Sequence, residues 1–230
     1  MNRIIILHGW TKNLDKWKNF LANLDKKRID YEFPKIPGLT GNLNGVWNLD
    51  DYIKWLGKII DQQNNKVILI GHSNGGRIAL AFTNRYPEKV EKLILIDSAG
   101  IRHNELPLRI KRAVFGIFAK IGKKFTSSRI LKDLLYKIAR EPDYKDLSPN
   151  VKQTMLNLIS ADLKPILPQI TAPTLIIWGR KDKITPFSDG KLMHSLIENS
   201  KLEIIENARH SPMFTHPKQT IDLIINDLTM

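Results

Sequence analysis

Short runs of apolar residues alternate with longer amphipathic segments along most of this chain. Four of the runs are almost continuously apolar, at residues 4–7, 67–70, 93–96 and 175–178. Runs of this length and composition are typical of strands in a parallel sheet that helices cover on both faces. Two weaker runs, at 29–33 and 202–205, include polar residues, and we predict that these two strands lie nearer the sheet edges.

Amphipathic patterns between the runs predict the helices of the same fold. The apolar positions recur with helical spacing over residues 15–24, 49–62, 75–85, 186–197 and 217–228. Because strands and helices alternate, the sequence predicts an α/β fold with a doubly wound, mostly parallel sheet and right-handed crossovers.

The alternation stops between residues 101 and 167. Apolar positions there keep helical spacing, and no run resembles a strand. We therefore predict a core formed by residues 1–100 and 168–230, and a helical cap, or lid, formed by residues 101–167. Such an insertion is expected over the carboxyl edge of the sheet.

Composition narrows the classes of function. The 230 residues include no cysteine, which excludes thiol catalysis, disulfide bonds and thiolate metal sites. The apolar run near the N-terminus is too short for a signal peptide, and no stretch approaches the roughly 18 apolar residues of a membrane span. We expect a cytoplasmic protein without a membrane span.

The formal net charge of +13 is concentrated in the predicted cap. Eleven Lys and Arg side chains and two carboxylates lie between Arg102 and Arg140, a net charge of +9. Such a segment favours an anionic substrate, an acidic carrier protein, an anionic lipid or a nucleic acid, and it equally fits an ordinary solvated face. No nucleic-acid-binding module accompanies the charge, so nucleic acid is not a predicted partner.

A glycine-rich turn around Ser73 carries the strongest signal for chemistry. Gly71 and Gly75 flank this serine between a predicted strand and a predicted helix. A turn this sharp strains the serine backbone, and glycines two residues away remove side chains that would collide. The hydroxyl then projects, and the N–H of Asn74 points toward a developing oxyanion. The turn predicts a nucleophile; an incidental serine in a tight turn is the alternative.

A serine nucleophile needs a base, and a carboxylate must orient that base. In a doubly wound sheet, ligand sites lie at the carboxyl ends of the strands. Asp182 follows the run at 175–178, and His210 follows the run at 202–205. Asp97, directly after the run at 93–96, is the alternative carboxylate.

These segments resemble motifs of the α/β-hydrolase superfamily, in particular its serine carboxylesterases and pimeloyl carrier-protein methyl ester esterases. Four motifs match in the family's order: His8-Gly9-Trp10, Gly71 to Gly76, Trp178 to Asp182 and Ala208 to Pro212. The resemblance implies a six-stranded sheet in the order 2-1-3-4-5-6. It also implies roles for five residues: Ser73 as nucleophile, His210 as general base, Asp182 as the orienting carboxylate, and the backbone N–H groups of Trp10 and Asn74 as the oxyanion hole.

The same resemblance implies a reaction class. The turn at Gly71 to Gly76 corresponds to the family's nucleophile elbow. Serine rather than aspartate in this elbow argues against haloalkane dehalogenase and epoxide hydrolase chemistry. Hydrolysis of a carboxylic ester or thioester through an acyl-enzyme remains. The run Ser-Asn-Gly-Gly-Arg also resembles meta-cleavage C–C hydrolases, which usually have a tryptophan after the histidine, where this chain has Ser211. A non-catalytic ligand-binding protein on the same fold is the alternative from another class.

Candidate substrate-binding residues are Phe115 and Phe118 in the cap and Met213 and Phe214 after His210. Aromatic residues at helical spacing also fit a core.

The remaining histidines lack ligand-like spacing, so we predict neither a metal nor a cofactor. The predicted partner is a small ester, anionic or attached to an acidic carrier protein, and the sequence does not predict the oligomeric state.

Overall fold

A single parallel sheet organises the molecule. The computed structural model describes residues 3–11, 13–61, 65–102 and 147–229. Its 6-stranded sheet has the order β2-β1-β3-β4-β5-β6, and every neighbouring pair is parallel. The predicted fold class and strand order are confirmed. The strands are β1 Ile4–Leu7, β2 Tyr31–Glu32, β3 Val67–His72, β4 Val90–Ile96, β5 Thr174–Gly179 and β6 Ser200–Ile205.

The helices lie close to the predicted segments. They are α1 Lys18–Lys26, α2 Leu49–Ile60, α3 Asn74–Arg85, α4 Pro149–Ser160, α5 Phe187–Leu196, α6 Pro212–Thr215 and α7 Pro217–Leu228. Short 3₁₀ helices span Asp15–Trp17, Pro87–Lys89 and Lys164–Gln169. The four-residue α6 was not predicted, because one turn is too short to show helical periodicity.

Two apolar layers cover the two faces of the sheet. One layer packs α2, α3 and α5 against the sheet through residues such as Leu56, Phe82 and Met193. The other packs α1 and α7 through residues such as Phe20 and Ile224. Since both faces are covered, β1, β3 and β5 are buried along their whole lengths, as their continuous apolar runs predict.

The two weaker strand candidates lie at the sheet edges, as predicted. β2 and β6 end the strand order. β2 is limited to two half-buried residues, and Lys201 and Glu203 are exposed in β6. A polar side chain is inexpensive at such positions because water reaches the outer side of an edge strand.

The described end of the predicted cap segment packs on the core. Leu158 of α4 joins the layer that contains α2 and α3. The backbone N–H of Trp47 donates to the Thr154 hydroxyl at 2.8 Å, and the Asn157 amide donates to the Trp47 carbonyl at 3.0 Å. Residues 103–146, with Phe115, Phe118 and most of the cap charges, lie outside the described residues. The domain boundaries therefore stay a prediction.

Helix length also bears on the predicted absence of a membrane span. Within the described ranges, every helix is too short or too polar to cross a bilayer.

Candidate active site

Ser73 occupies a strained turn between β3 and α3. Its φ of 52° and ψ of −118° are unusual for a residue with a side chain. The turn is held by backbone hydrogen bonds on both sides. The Ser73 N–H donates to the Ile96 carbonyl at 3.1 Å, and the Ala99 N–H donates to the Ser73 carbonyl at 2.9 Å. Strain that its surroundings enforce in this way is common at functional positions.

Close backbone approach explains the glycines around the elbow. A Cβ atom on Gly71 would lie 2.5 Å from the Gly76 Cα, and one on Gly75 would lie 2.1 Å from the Leu7 carbonyl oxygen. Any side chain would push α3 away from β1 and β3. The two glycines therefore allow the helix to begin directly beside the end of β1.

Three distant side chains meet at this elbow. The His210 Nε2 lies 3.0 Å from the Ser73 hydroxyl oxygen, and the His210 Nδ1 lies 2.8 Å from Asp182 Oδ2. When Nδ1–H donates to Asp182, Nε2 is free to accept the serine proton. The structure thus brings together the three residues that the sequence selected as a nucleophile, a base and an orienting carboxylate.

The Asp182 carboxylate is saturated with hydrogen-bond donors. Its side chain is 0% exposed. Oδ1 accepts the N–H groups of Ile184 at 2.7 Å and Thr185 at 3.3 Å, and Oδ2 accepts the Thr185 hydroxyl at 2.7 Å as well as the imidazole. These donors hold the carboxylate in one orientation toward His210.

Thr185 was not among the residues selected from the sequence. Its hydroxyl lies within hydrogen-bond distance of Asp182, of the Asp97 carbonyl and of His210 Nδ1, at 2.7, 3.1 and 3.2 Å. A signal was present in the sequence, because an aspartate followed two and three residues later by turn residues often accepts their backbone N–H groups. Reading 182–185 as such a turn would have selected the threonine.

Asp97 is close to the site but makes different contacts. It is completely buried with a φ of 42°, its Oδ1 accepts the Gly179 N–H at 2.8 Å, and Oδ2 has no hydrogen-bond partner among the described residues. Burial, together with the nearby Asp182 charge, raises the pKa of Asp97 well above its usual range. Asp182 contacts the imidazole, whereas Asp97 forms no hydrogen bond to it.

The side chains of Asp97, Asp182 and His210 are also the described group that could hold a cation. One ligand atom from each lies within 4.8 Å of the others. However, Asp182 and His210 are already hydrogen-bonded to each other and to Thr185. The absence of a metal stays a prediction.

His72 connects the loop that contains His210 to the elbow that contains Ser73. Its Nε2–H donates to the His210 backbone carbonyl at 2.8 Å, and the two rings are 5.1 Å apart. Burial lowers the pKa of His72 well below its usual range, which keeps the ring neutral. This contact was not predicted from the sequence, because it joins residues 138 positions apart.

The loop after β1 passes directly beside the serine. A Cβ atom on Gly9 would lie 2.9 Å from the Ser73 Cβ, and the next residue, Trp10, lines the same cavity as Ser73. Asn74 is the first residue of α3, where helix N–H groups have no intrahelical acceptor. Both predicted oxyanion-hole residues are therefore adjacent to the nucleophile.

The His8 side chain holds this loop through two hydrogen bonds. One ring nitrogen lies 2.8 Å from the Gly9 carbonyl, to which it donates, and the other accepts the Thr40 hydroxyl at 3.0 Å. Burial lowers the pKa of His8 to about 4, so the ring is neutral at pH 7.

A cavity of about 500 Å³ opens in front of Ser73. Phe214 lines it, while Met213 is fully buried in the layer that contains α1 and α7. Phe115 and Phe118 lie outside the described residues. Other lining residues include Thr11, Trp17, Ile184 and Ser211.

Comparison with curated proteins finds relatives over nearly the whole chain. A pimeloyl-[acyl-carrier protein] methyl ester esterase of Shewanella woodyi is 30% identical over 93% of this chain and 88% of its own length. A 2-hydroxy-6-oxononadienedioate/2-hydroxy-6-oxononatrienedioate hydrolase of Klebsiella pneumoniae is 26% identical over 98% of this chain and 86% of its own length. Both relatives are named as hydrolytic enzymes, which supports a hydrolase here.

Comparison with solved structures and with family models agrees with the fold. An esterase from Thermogutta terrifontis superposes with a TM-score of 0.72 at 21% identity, covering 100% of this chain and 90% of its own. The family model for the alpha/beta hydrolase fold matches residues 2–217. The chain belongs to the alpha/beta hydrolase fold family.

Proposed function

We propose that this protein is a serine hydrolase that cleaves a carboxylic ester or thioester through an acyl-enzyme on Ser73. The observation that carries the proposal is the chain of contacts from the Ser73 oxygen to His210 at 3.0 Å and from His210 to Asp182 at 2.8 Å. A buried, fully hydrogen-bonded carboxylate that orients an imidazole toward a hydroxyl is the arrangement that activates serine.

The proposed reaction proceeds in two halves. The Ser73 oxygen attacks the substrate carbonyl carbon while His210 Nε2 takes the hydroxyl proton, and the resulting oxyanion is stabilised by the N–H groups of Trp10 and Asn74. Collapse of this intermediate breaks the bond to the leaving group, which receives the proton from His210. A water molecule then attacks the acyl-enzyme in the same way, releasing the acid and restoring the serine.

Two further elements of the proposal concern the surroundings of the serine. We infer that residues 101–167 form a cap over the cavity. The contacts of Thr154 and Asn157 with Trp47 attach the described end of this segment to the core. An acidic carrier protein as a partner is supported by the net charge of +9 between Arg102 and Arg140, and by the name of the Shewanella woodyi relative.

A second candidate function is hydrolysis of a C–C bond in a dienone acid. The Klebsiella pneumoniae relative carries the name of such an enzyme, and its match covers 98% of this chain. The residue after His210 is Ser211, whereas the C–C hydrolases usually have a tryptophan there. Ester hydrolysis is therefore the first proposal. Comparing turnover of a dienone acid with turnover of esters distinguishes the two candidates.

The test compares turnover of 4-nitrophenyl esters of increasing acyl length by the unmodified protein and by Ser73→Ala. We expect the variant to lose on the order of 10⁵ to 10⁶ in kcat, because the remaining residues cannot supply a nucleophile. Ser195→Ala on the exposed side of α5 is the matched control, with unchanged kcat. Retention of activity by Ser73→Ala would refute the proposal, and turnover of a dienone acid in preference to every ester would select the second candidate.

A further inference from the structure

Four cationic side chains line the cavity that contains Ser73. They are Lys16, Lys181, Lys183 and Arg209. Among the described residues, no Asp or Glu lines it. A cavity beside α7 is different, since Lys218 and Asp222 line it together. In the described part of the chain, the cavity in front of Ser73 is therefore lined by cations without a carboxylate, whereas the cavity beside α7 is lined by charges of both signs.

The catalytic loops themselves fix three of these cations. Lys181 and Lys183 stand on either side of Asp182 in the turn after β5, and Arg209 directly precedes His210. Since the Asp182 side chain is buried and directed inward, its neighbours in this turn are exposed. The same backbone that orients the imidazole thus positions these charges at the mouth of the cavity.

Lys183 and Arg209 differ from the other cations near the cavity in their contacts. Glu206 is held by Arg180 in a paired contact, at 2.9 and 3.1 Å. Lys181 donates to the uncharged Asn207 oxygen at 2.9 Å. Among the described residues, Lys183 and Arg209 form no ion pair. Their charges therefore remain available to a ligand.

We propose that Lys183 and Arg209, assisted by Lys181 and Lys16, form a subsite for an anionic group, a carboxylate or a phosphate, on the substrate. The inference rests on the proposed function and extends it to a substrate class: esters that carry a negative charge beyond the scissile bond. A cluster of cations at the mouth of a cavity concentrates anionic substrates and orients them by charge-assisted hydrogen bonds. Because the cations are exposed, added salt weakens the preference.

The experiment uses two matched pairs of esters that differ by one negative charge. Mono-4-nitrophenyl adipate against 4-nitrophenyl hexanoate places the charge on the acyl side, and 4-acetoxybenzoate against methyl 4-acetoxybenzoate places it on the leaving group. We expect the unmodified protein to prefer the anionic member of at least one pair in kcat/KM. The pair that responds identifies which end of the substrate carries the charge.

The double variant K183Q/R209Q removes the two cations that form no ion pair among the described residues. We expect its anionic-to-neutral ratio of kcat/KM to fall about tenfold in the responding pair, or roughly threefold for each single variant, as for exposed charge pairs. The double variant K54Q/K58Q, on the exposed side of α2, removes the same charge away from the cavity and leaves the ratio unchanged. A ratio that K183Q/R209Q does not change in either pair would overturn the subsite.

A binding measurement makes the subsite testable without turnover. Calorimetric titration of S73A with monomethyl adipate at low salt is expected to show binding that 0.5 M NaCl and K183Q/R209Q both weaken. Equal binding of dimethyl adipate, or binding indifferent to the two substitutions, would reject the subsite. Failure of the proposed function has a different signature, since S73A would then hydrolyse neutral esters as fast as the unmodified protein.

Discussion

The carboxyl ends of β4 and β5 each carry a buried aspartate, and the two side chains have opposite surroundings. Asp182 after β5 accepts four hydrogen bonds, including one from His210 at 2.8 Å. Asp97 after β4 accepts one, from the Gly179 N–H, and its second oxygen is without a partner among the described residues. Residue type is identical and both side chains are buried, so the two differ in the hydrogen-bond donors that each loop provides.

This comparison shows how a fold assigns different roles to equal residues. Two buried carboxylates this close disfavour each other's ionisation, and the one with fewer hydrogen-bond donors is disfavoured more. Burial and the Asp182 charge together raise the pKa of Asp97 in the direction this requires. Asp97 therefore favours its uncharged form, while Asp182 is the carboxylate that contacts the imidazole.

Removing the charge from Asp182 gives the largest expected effect. Asp182→Asn keeps the shape but favours the wrong histidine tautomer, so kcat for an ester should fall about 10⁴-fold. The measurement is steady-state hydrolysis of a 4-nitrophenyl ester beside Asp97→Asn. If Asp97→Asn proves the costlier substitution, the orienting role belongs to Asp97 and the comparison is reversed.

An intermediate effect is expected at Thr185, which joins the two loops. Thr185→Val removes the hydroxyl that Asp182 accepts at 2.7 Å while keeping the side-chain volume, and we expect kcat to fall about tenfold. Thr185→Ser restores a hydroxyl and should recover most of the loss. A merely structural role would instead lower the unfolding free energy of both variants without this difference in kcat.

The smallest catalytic effect is expected for Asp97→Asn, which imitates the protonated acid. We expect kcat within about threefold of the unmodified protein, because the uncharged amide leaves the charge of Asp182 undisturbed. Steady-state hydrolysis of the same 4-nitrophenyl ester measures it.

Stability should respond to Asp97→Asn in a pH-dependent way. Above the usual aspartate pKa the unfolded chain releases the Asp97 proton while the folded protein keeps it, so wild-type stability falls as pH rises through this window. Asp97→Asn removes that loss, and its advantage in unfolding free energy should grow from about pH 4 to pH 7. Urea unfolding measures it, with exposed Asp30→Asn as the control. A constant difference across the pH range would show that Asp97 is ionised in the folded protein.

Much of the fold could be predicted because its signals are local. The buried centres of the parallel strands are continuously apolar, so β1, β3, β4 and β5 were recognisable from short runs. Edge strands also accept polar residues, so their bounds are harder to predict. The strand predicted at 29–33 covers only Tyr31–Glu32 in the structure. The order of the strands came from the family resemblance and not from the pattern.

The residues of the candidate site that directly follow a strand could be predicted from the sequence. Asp182 and His210 were found because each follows a strand on the side where ligands bind. The contact of His72 with the His210 carbonyl and that of the Thr185 hydroxyl with the Asp97 carbonyl depend on distances between loops, which no local pattern encodes. The unequal surroundings of Asp97 and Asp182 required the three-dimensional arrangement for the same reason.

Every proposal about this site depends on the hydroxyl of Ser73 being the activated nucleophile. The most direct measurement is exposure of the protein to a fluorophosphonate, followed by intact mass spectrometry and peptide mapping. We expect one adduct per chain, located on Ser73, absent from Ser73→Ala and formed far more slowly in Asp182→Asn. An unlabelled protein, or an adduct that persists in Ser73→Ala, would contradict it.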